Sequence, residues 1–574
     1  MSQLVEGGWL AAKALKAEGV RYVFVVPVTS MASYYEGCEA HGIKVIGVRH
    51  EQAAAMAADG WARVTGRPGV AMFTSGPGFT NAYTGIANAY LTPSPALYIG
   101  RGRTNPAEYD LGDGMELDKE YLELMRPVTK WCRICYETKR FPEYISIAFR
   151  HALAGRPGPV YLEAPTSVLR RQVDESEVSY PTNYRTEARA YGDPGYVRRA
   201  AELFLKAERP VVMAGGGVHW SQASEELQKF VKAVESPAFL NALGRGSVPP
   251  THPMYFGYTR SAALKEADVV MVVGAPLDWR LGHGRPPAWS AGAKVIQIDV
   301  DPVEIGRNRH IDVGIIGDPK AVLSQLIDEV GGRKRRESDW LARLREVEAR
   351  DAARDEEMIR SDRVPIHPMR VLGELRDLLG PEDIIVGDGG FFVNFAARVM
   401  KIYKSGHWLD PGYMGCLGVG PGFAMAAKLA HPDKRVVLLS GDGSFGFNGM
   451  ELDTMSRYGI NVVTIVGNNG SWGMEKHSIA WKSNPIAVDL VGARYDIVAQ
   501  GLGCQGERVE HPEQIRPALE RALNADRPAL VDVVLTDETQ VYLATARGTR
   551  DRARYAARLF GTQDGAPSVQ NKSA

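Results

Sequence analysis

Runs of β-branched and other apolar residues recur along this chain, each ending in glycine or a small polar turn and followed by a stretch with helical spacing. Strands buried on both faces of a parallel sheet read this way, and the intervening helices carry the chain back to begin the next parallel strand. A first cycle, from Gly19 to about Pro165, contains YVFVVP, VIGV, GVAMFT, PALYIG and PVYLEAP between Ala-rich helical stretches. A second, from about Tyr196 to Asp328, contains PVVMAGGG, ADVVMVVG and AKVIQIDV; a third, from about His367 to Thr536, contains DIIVGDGG, RVVLLSGDG, NVVTIVGNNG and PALVDVVL. At about 100 to 200 residues per domain, 574 residues accommodate three such units.

The expected organisation is therefore three doubly wound α/β domains at 1–172, 194–332 and 365–540, followed by a basic tail at 541–574. The charged, proline-containing stretch Gln172–Asp193 reads as a linker, and the highly charged helical stretch Arg333–Arg360 separates the second unit from the third. Lys+Arg and Asp+Glu both total 68, so the chain has no net charge with which to steer a polyanion, and no nucleic-acid partner is expected. The first 22 residues place Lys13, Lys16 and Glu18 among apolar positions, unlike a signal peptide, and no run approaches the length of a membrane span. A cytoplasmic protein without a membrane partner is the expectation. Five cysteines suit a reducing compartment, and Cys132 and Cys135 form a CxxC without the second pair that a zinc site needs.

The most informative run is GDGSFGFNGMELDTMSRYGINVVTIVGNNGSWGME, Gly441 to Glu475. Two parallel strands end in it, one at Gly441–Asp442–Gly443–Ser444 and one at Asn468–Asn469, and a single helical crossover between them would set Asp442 beside Asn469. A carboxylate, an amide oxygen and a nearby carbonyl are hard ligands suited to Mg²⁺. Gly443 admits a phosphate to the backbone N–H groups, and the helix after Ser444 adds its N-terminal dipole. Each fragment alone also fits an ordinary turn.

Together the two fragments resemble the thiamin diphosphate (ThDP) binding motif, and the resemblance extends over nearly the whole chain. The run Val45–Leu91, containing RHEQAAAMAADGWARVTGRPG, and GRPGPV at Gly155–Val160 look like the pyrimidine-binding domain of the acetolactate synthase-like superfamily. In that family a Glu of the RHEQAA segment hydrogen-bonds the cofactor's pyrimidine ring and promotes deprotonation of its thiazolium carbon; the matching residue is Glu51. The resemblance further implies Asp442, Asn469 and the Ser471 carbonyl as Mg²⁺ ligands, with Gly441, Gly443 and Ser444 at the diphosphate. Leu417 takes the place of the bulky residue that bends the cofactor. Pro27, Ser75, Asn81, Gly389, Gly390, Trp472 and Gly473 complete the expected cofactor surroundings. It also implies a homodimer or homotetramer, each site joining the pyrimidine domain of one subunit to the diphosphate domain of another.

Phe445–Tyr458 looks closest to oxalyl-CoA decarboxylases and 2-hydroxyacyl-CoA lyases, which implies an acyl-CoA substrate. The middle unit resembles a nucleotide site, holding ADP in the CoA-handling branch and FAD in acetolactate synthases. Its candidate residues are Gly216, Gly217, Arg280, Asp299 and Val300, with Arg156 from the first unit. Arg547, Arg550, Arg552, Arg554 and Arg558 form either a clamp for CoA phosphates or a solvated terminal helix. Where oxalyl-CoA decarboxylases carry polar groups, this chain has Gly114, Met115 and Gly473, while Trp472 and Glu475 follow the second motif. Those departures favour a lyase releasing formyl-CoA and an aldehyde or ketone, with Glu51 activating the cofactor and Glu475 as substrate-side acid/base. A decarboxylase or carboligase acting on a free 2-oxoacid, and a catalytically silent regulatory protein, are the alternatives.

Overall fold

The computed structural model describes residues 4–102, 121–335, 338–479, 484–539 and 541. Three parallel sheets organise them, each flanked by helices. The N-terminal sheet runs, in spatial order, Lys44–Gly47, Tyr22–Val25, Gly69–Phe73, Ala96–Gly102, Val160–Pro165 and Trp131–Ile134. The C-terminal sheet runs Trp408–Leu409, Ile384–Asp388, Val436–Gly441, Val463–Asn468, Ala529–Val534 and Gln505–Val509. Numbered along the chain, both follow the order 2-1-3-4-6-5. In each, the winding direction reverses between the first and third strands, and a crevice at such a reversal is where open α/β sheets bind ligands. The central sheet, Ala238–Leu240, Pro210–Ala214, Val269–Val273, Lys294–Asp299 and Val313–Ile316, reverses between Pro210–Ala214 and Val269–Val273. The α/β class with three parallel-sheet domains is thus the fold.

The structure adds strands where the pattern was weakest, at sheet edges: Trp131–Ile134, Ala238–Leu240, Val313–Ile316, Trp408–Leu409 and Gln505–Val509. An edge strand is paired on one side only and need not be apolar on both faces. The expected linker begins with Gln172–Asp174, which pairs antiparallel with Leu4–Glu6 and ties the domain's start to its end. Among the described residues no helix is long and apolar enough to cross a membrane.

What brings the N- and C-terminal sheets together is the packing of helix Glu51–Thr65 on helix Val419–Ala430. A Cβ on Gly60 would come within 2.8 Å of the Phe423 Cα, and one on Gly422 within 2.9 Å of the Ala53 carbonyl oxygen. Glycine at both positions lets the two backbones approach, and one apolar cluster then runs unbroken from Phe24, Ile46 and Phe73 to Val386, Val419 and Leu438. Inside it lies a fully buried ion pair. Arg63 donates from Nε to Asp59 Oδ1 at 2.7 Å and from Nη2 to Oδ2 at 2.7 Å. Asn88 also donates to Asp59, and Arg63 reaches across to the Asp410 carbonyl at 2.7 Å, its guanidinium over the Phe423 ring.

Removing one member of such a pair strands the other charge. Asp59→Ala should therefore cost about 3 to 5 kcal/mol in denaturant unfolding, whereas Asp59→Leu combined with Arg63→Met should cost less than the single change.

Candidate functional site

The sequence motif is assembled at the carboxyl ends of the C-terminal sheet. Strand Val436–Gly441 passes directly into helix Asp442–Asn448, so Asp442 lies in the first helical turn. The register pairs Gly441 with Gly467, which sets Asp442 beside the turn at Asn468–Gly470. Asp442 is almost wholly buried, and its Oδ2 accepts the Ser471 N–H at 3.1 Å. Burial pushes its carboxyl up to about 7, against the opposing pull of the N–H groups of Gly443, Ser471 and Gly470. Asn469 donates from Nδ2 to Ser471 Oγ and to Asp537 Oδ1, both at 2.9 Å, so the amide nitrogen is committed and the amide oxygen is left for another partner. The Ser471 carbonyl accepts the Gly473 N–H at 2.8 Å.

Among the described residues no three His, Cys, Asp or Glu side chains are placed to hold a metal ion. A cation here would be held by the mixed oxygen set of Asp442, Asn469 and the Ser471 carbonyl, and those donors suit Mg²⁺. The surroundings suit a phosphate: Gly441 has open space where a Cβ would stand, and Ser444 lies against Gly389, whose φ of +116° favours glycine. A Cβ on Gly443 would come 2.8 Å from the Trp472 ring, which also meets Phe447 edge-on. Gly390 packs near Met474. Glu475 is exposed in the first turn of helix Gly473–Ile479.

Leu417, half-buried, lies one residue before Gly418, the N-cap of helix Val419–Ala430. A residue absent from the sequence reading sets that turn: Asp388, fully buried, accepts the N–H of Gly418 at 3.0 Å and of Gly420 at 2.9 Å. Burial pushes its carboxyl up to about 7. In the N-terminal domain, Glu51 opens helix Glu51–Thr65 behind the N-cap His50. Asn81 donates to Glu51 Oε2 at 3.0 Å, and a Cβ on Gly78 would stand 3.3 Å from Oε1, so the starts of two helices converge on this carboxylate. A second unanticipated carboxylate, Glu451, crosses from the C-terminal domain and accepts the N–H groups of Arg49 at 3.0 Å and His50 at 3.1 Å, just ahead of Glu51. Its Oε2 accepts the Thr454 hydroxyl at 2.6 Å. Ser75 accepts from Arg101, and Pro27 is exposed just past strand Tyr22–Val25.

In the central domain Gly216 and Gly217 open the short helix at the sheet's reversal point, and a Cβ on Gly217 would come 2.6 Å from the Gly274 Cα. Gly217 thus packs backbone against backbone. Asp299, largely buried at the end of Lys294–Asp299, accepts the Asp301 N–H at 2.9 Å, and burial raises its carboxyl to about 6. Val300 follows it, half-buried. Arg156 donates to Glu304 at 2.5 Å, so a phosphate there would compete with a carboxylate. Arg280 lies over the rings of Trp279 and Tyr413, 4.8 Å from the latter's centroid. Cys132 and Cys135 are buried free thiols. Gly114, Met115 and the five tail arginines lie outside the described residues.

Three family models match the chain in series: the N-terminal TPP binding domain of thiamine pyrophosphate enzymes over residues 5–120, the central domain over 197–326, and the C-terminal TPP binding domain over 388–533. An acetolactate synthase large subunit of Mycobacterium tuberculosis is 39% identical over 548 residues, covering 94% of this chain and 97% of the relative. A 2-hydroxyacyl-CoA lyase of Arabidopsis thaliana is 33% identical over 554 residues, 92% of this chain and 96% of its own. An oxalyl-CoA decarboxylase of Escherichia coli K12 is 32% identical over 548 residues, 93% and 95% respectively.

A carboxyl raised by burial contributes stability that is present in full below the ordinary carboxylate range and is lost as pH rises through its folded value. Between pH 4 and 7.5, wild-type protein should therefore lose on the order of 3 kcal/mol relative to Asp388→Asn, read from denaturant midpoints of the two proteins across that range.

Proposed function

The chain belongs to the thiamine pyrophosphate enzyme family, and on that premise we propose that it is a 2-hydroxyacyl-CoA lyase. The observation that carries the reading is the pairing of Trp472, folded over Gly443, with the exposed Glu475 one turn beyond the metal-type turn. An aromatic ring and an exposed carboxylate following the same turn suit a substrate with an apolar carbon chain and a hydroxyl to deprotonate. The lyase relative supports the same substrate class.

Bound ThDP supplies the electron sink for breaking a carbon–carbon bond next to a carbonyl. The chain's own work is to hold and move protons. Glu51, oriented by Asn81, would hold a proton at the cofactor's pyrimidine ring, and Asp442, Asn469 and the Ser471 carbonyl would hold Mg²⁺. Glu475 takes the hydroxyl proton as the bond between the hydroxyl-bearing carbon and the thioester carbonyl breaks. An aldehyde or ketone leaves, the acyl carbon receives a proton, and formyl-CoA is the second product; the reverse condensation uses the same groups.

Each site joins Glu51 of one subunit to Asp442 of another in a homodimer or homotetramer. The exposed Met414, Phe447 and Met450 near the Leu417 turn are apolar surface of the kind a second copy covers. On this reading the sheet reversal of the central domain is the candidate ADP site, and the basic C-terminal tail is the candidate clamp for CoA phosphates.

An acetolactate synthase-like carboligase acting on free 2-oxoacids is the second reading, favoured by the 39% identity to the mycobacterial relative. Incubation of the protein, ThDP and Mg²⁺ with a 2-hydroxyacyl-CoA, followed by mass detection, should yield formyl-CoA. Acetolactate from pyruvate with no formyl-CoA would establish the second reading instead. Replacing Glu51 with Gln should lower turnover by about 100-fold or more at an unchanged melting temperature, since a positioned proton-transfer group contributes about 10² to 10⁴.

A further inference from the structure

Beyond the expected ligands, the metal-type turn is held by a carboxylate that follows a neighbouring strand. Strand Ala529–Val534 runs beside Val463–Asn468, with Val534 opposite Asn468, and the chain continues from it to Asp537. Asp537 Oδ1 accepts from Asn469 Nδ2 at 2.9 Å, from the Ser471 hydroxyl at 2.7 Å and from His477 Nε2 at 3.0 Å. Its Oδ2 accepts from Lys476 Nζ at 2.6 Å. Four donors from the segment Asn469–His477 thus converge on one side chain that is not itself in the motif.

The consequence falls on Asn469. A side-chain amide is nearly symmetric in shape, and its oxygen and nitrogen exchange places by a half-turn about one bond. Only the oxygen can serve a cation; the NH₂ group repels one. Asp537, an acceptor with no proton to give, admits only the nitrogen on its side, and Ser471 Oγ receives the second N–H while its own proton goes to Asp537. His477, fully buried, fixes the carboxylate in turn and has its Nδ1 3.0 Å from Thr539 Oγ1. Lys476 braces it again from the helix that carries Glu475, and also holds Asp489 at 2.7 Å.

We propose that Asp537 is a positioning residue that fixes the sense of the Asn469 amide, presenting the oxygen to Mg²⁺. The inference rests on the cofactor reading above and adds a group outside the metal's own ligands. Outer partners of this kind change metal affinity by about 10- to 100-fold when removed. A structural brace alone would change stability without regard to what stands at position 469.

The test titrates Mg²⁺ into wild type, Asp537→Ala, Asp537→Asn, Asn469→Asp and the double variant Asn469→Asp/Asp537→Asn at fixed ThDP, following tryptophan fluorescence. Melting temperatures are recorded without the metal. Asp537→Ala should raise the half-saturating Mg²⁺ concentration at least about tenfold. Asn469→Asp, with no amide to orient but a carboxylate set against Asp537, should also bind weakly, and the double variant should bind more tightly than Asn469→Asp alone. A wild-type midpoint in Asp537→Ala, or a double variant no better than the sum of two independent losses, would overturn the inference. Absence of any Mg²⁺ dependence in the wild type would overturn the cofactor reading together with it.

Discussion

The placement of the N- and C-terminal domains within one subunit depends on how closely helix Glu51–Thr65 can lie on helix Val419–Ala430. The contact is made by backbone at Gly60 and Gly422, and neither position has room for a side chain. Helices held this close share one core, and the two sheets behind them become layers of a single packed body. The same two helices begin next to the functional residues: one opens at Glu51, and the other opens just after Leu417. A shift of either helix would move a residue expected to touch the cofactor. The buried Asp59–Arg63 pair adds specificity to this arrangement, because its donors and acceptors are met only when Asn88 and the Asp410 carbonyl arrive from neighbouring segments.

A second regularity is the use of buried or partly buried carboxylates to hold turns and helix starts. Asp388 holds Gly418 and Gly420, Asp442 holds Ser471, Glu451 holds Arg49 and His50, and Asp537 holds Asn469 and Ser471. In the first three, N–H groups of the main chain are the donors. Desolvation raises these three carboxyls; at Asp537 burial also pulls upward but is outweighed by hydrogen bonds from His477, Lys476 and Ser471, leaving it near 2. The outcome at each position follows from its donors, charged side chains at one and amides at the others. Carboxylates in these roles fix loop conformation to within a hydrogen bond's tolerance, which a cation site requires.

The alternating pattern of apolar runs and helical stretches was enough to read the α/β class, because strands buried on both faces must be apolar throughout. The central strands Gly69–Phe73, Val269–Val273 and Val436–Gly441 were visible for that reason. Gln505–Val509 was not, being mostly half-exposed, and Trp408–Leu409 is too short to show a period. At the site, Asp442 and Asn469 could be read because both lie in one run of chain whose turn chemistry is local. Asp388, Glu451 and Asp537 could not: each is one acidic residue whose role arises only when the fold sets it against backbone amides or an amide side chain from elsewhere. The commitment of Arg156 to Glu304, 148 residues away, was hidden for the same reason.

In the proposed assembly, each catalytic site is built from two domains that different subunits supply. It is tested most directly by mixing Glu51→Ala with Asp442→Ala, each inactive alone, under conditions that exchange subunits. If sites form across subunits, a mixed dimer contains one site with both residues intact, and activity should return to up to about a quarter of the wild-type rate for random pairing. Verified mixed dimers without activity would contradict the account and place Glu51 and Asp442 of a single chain in the same site.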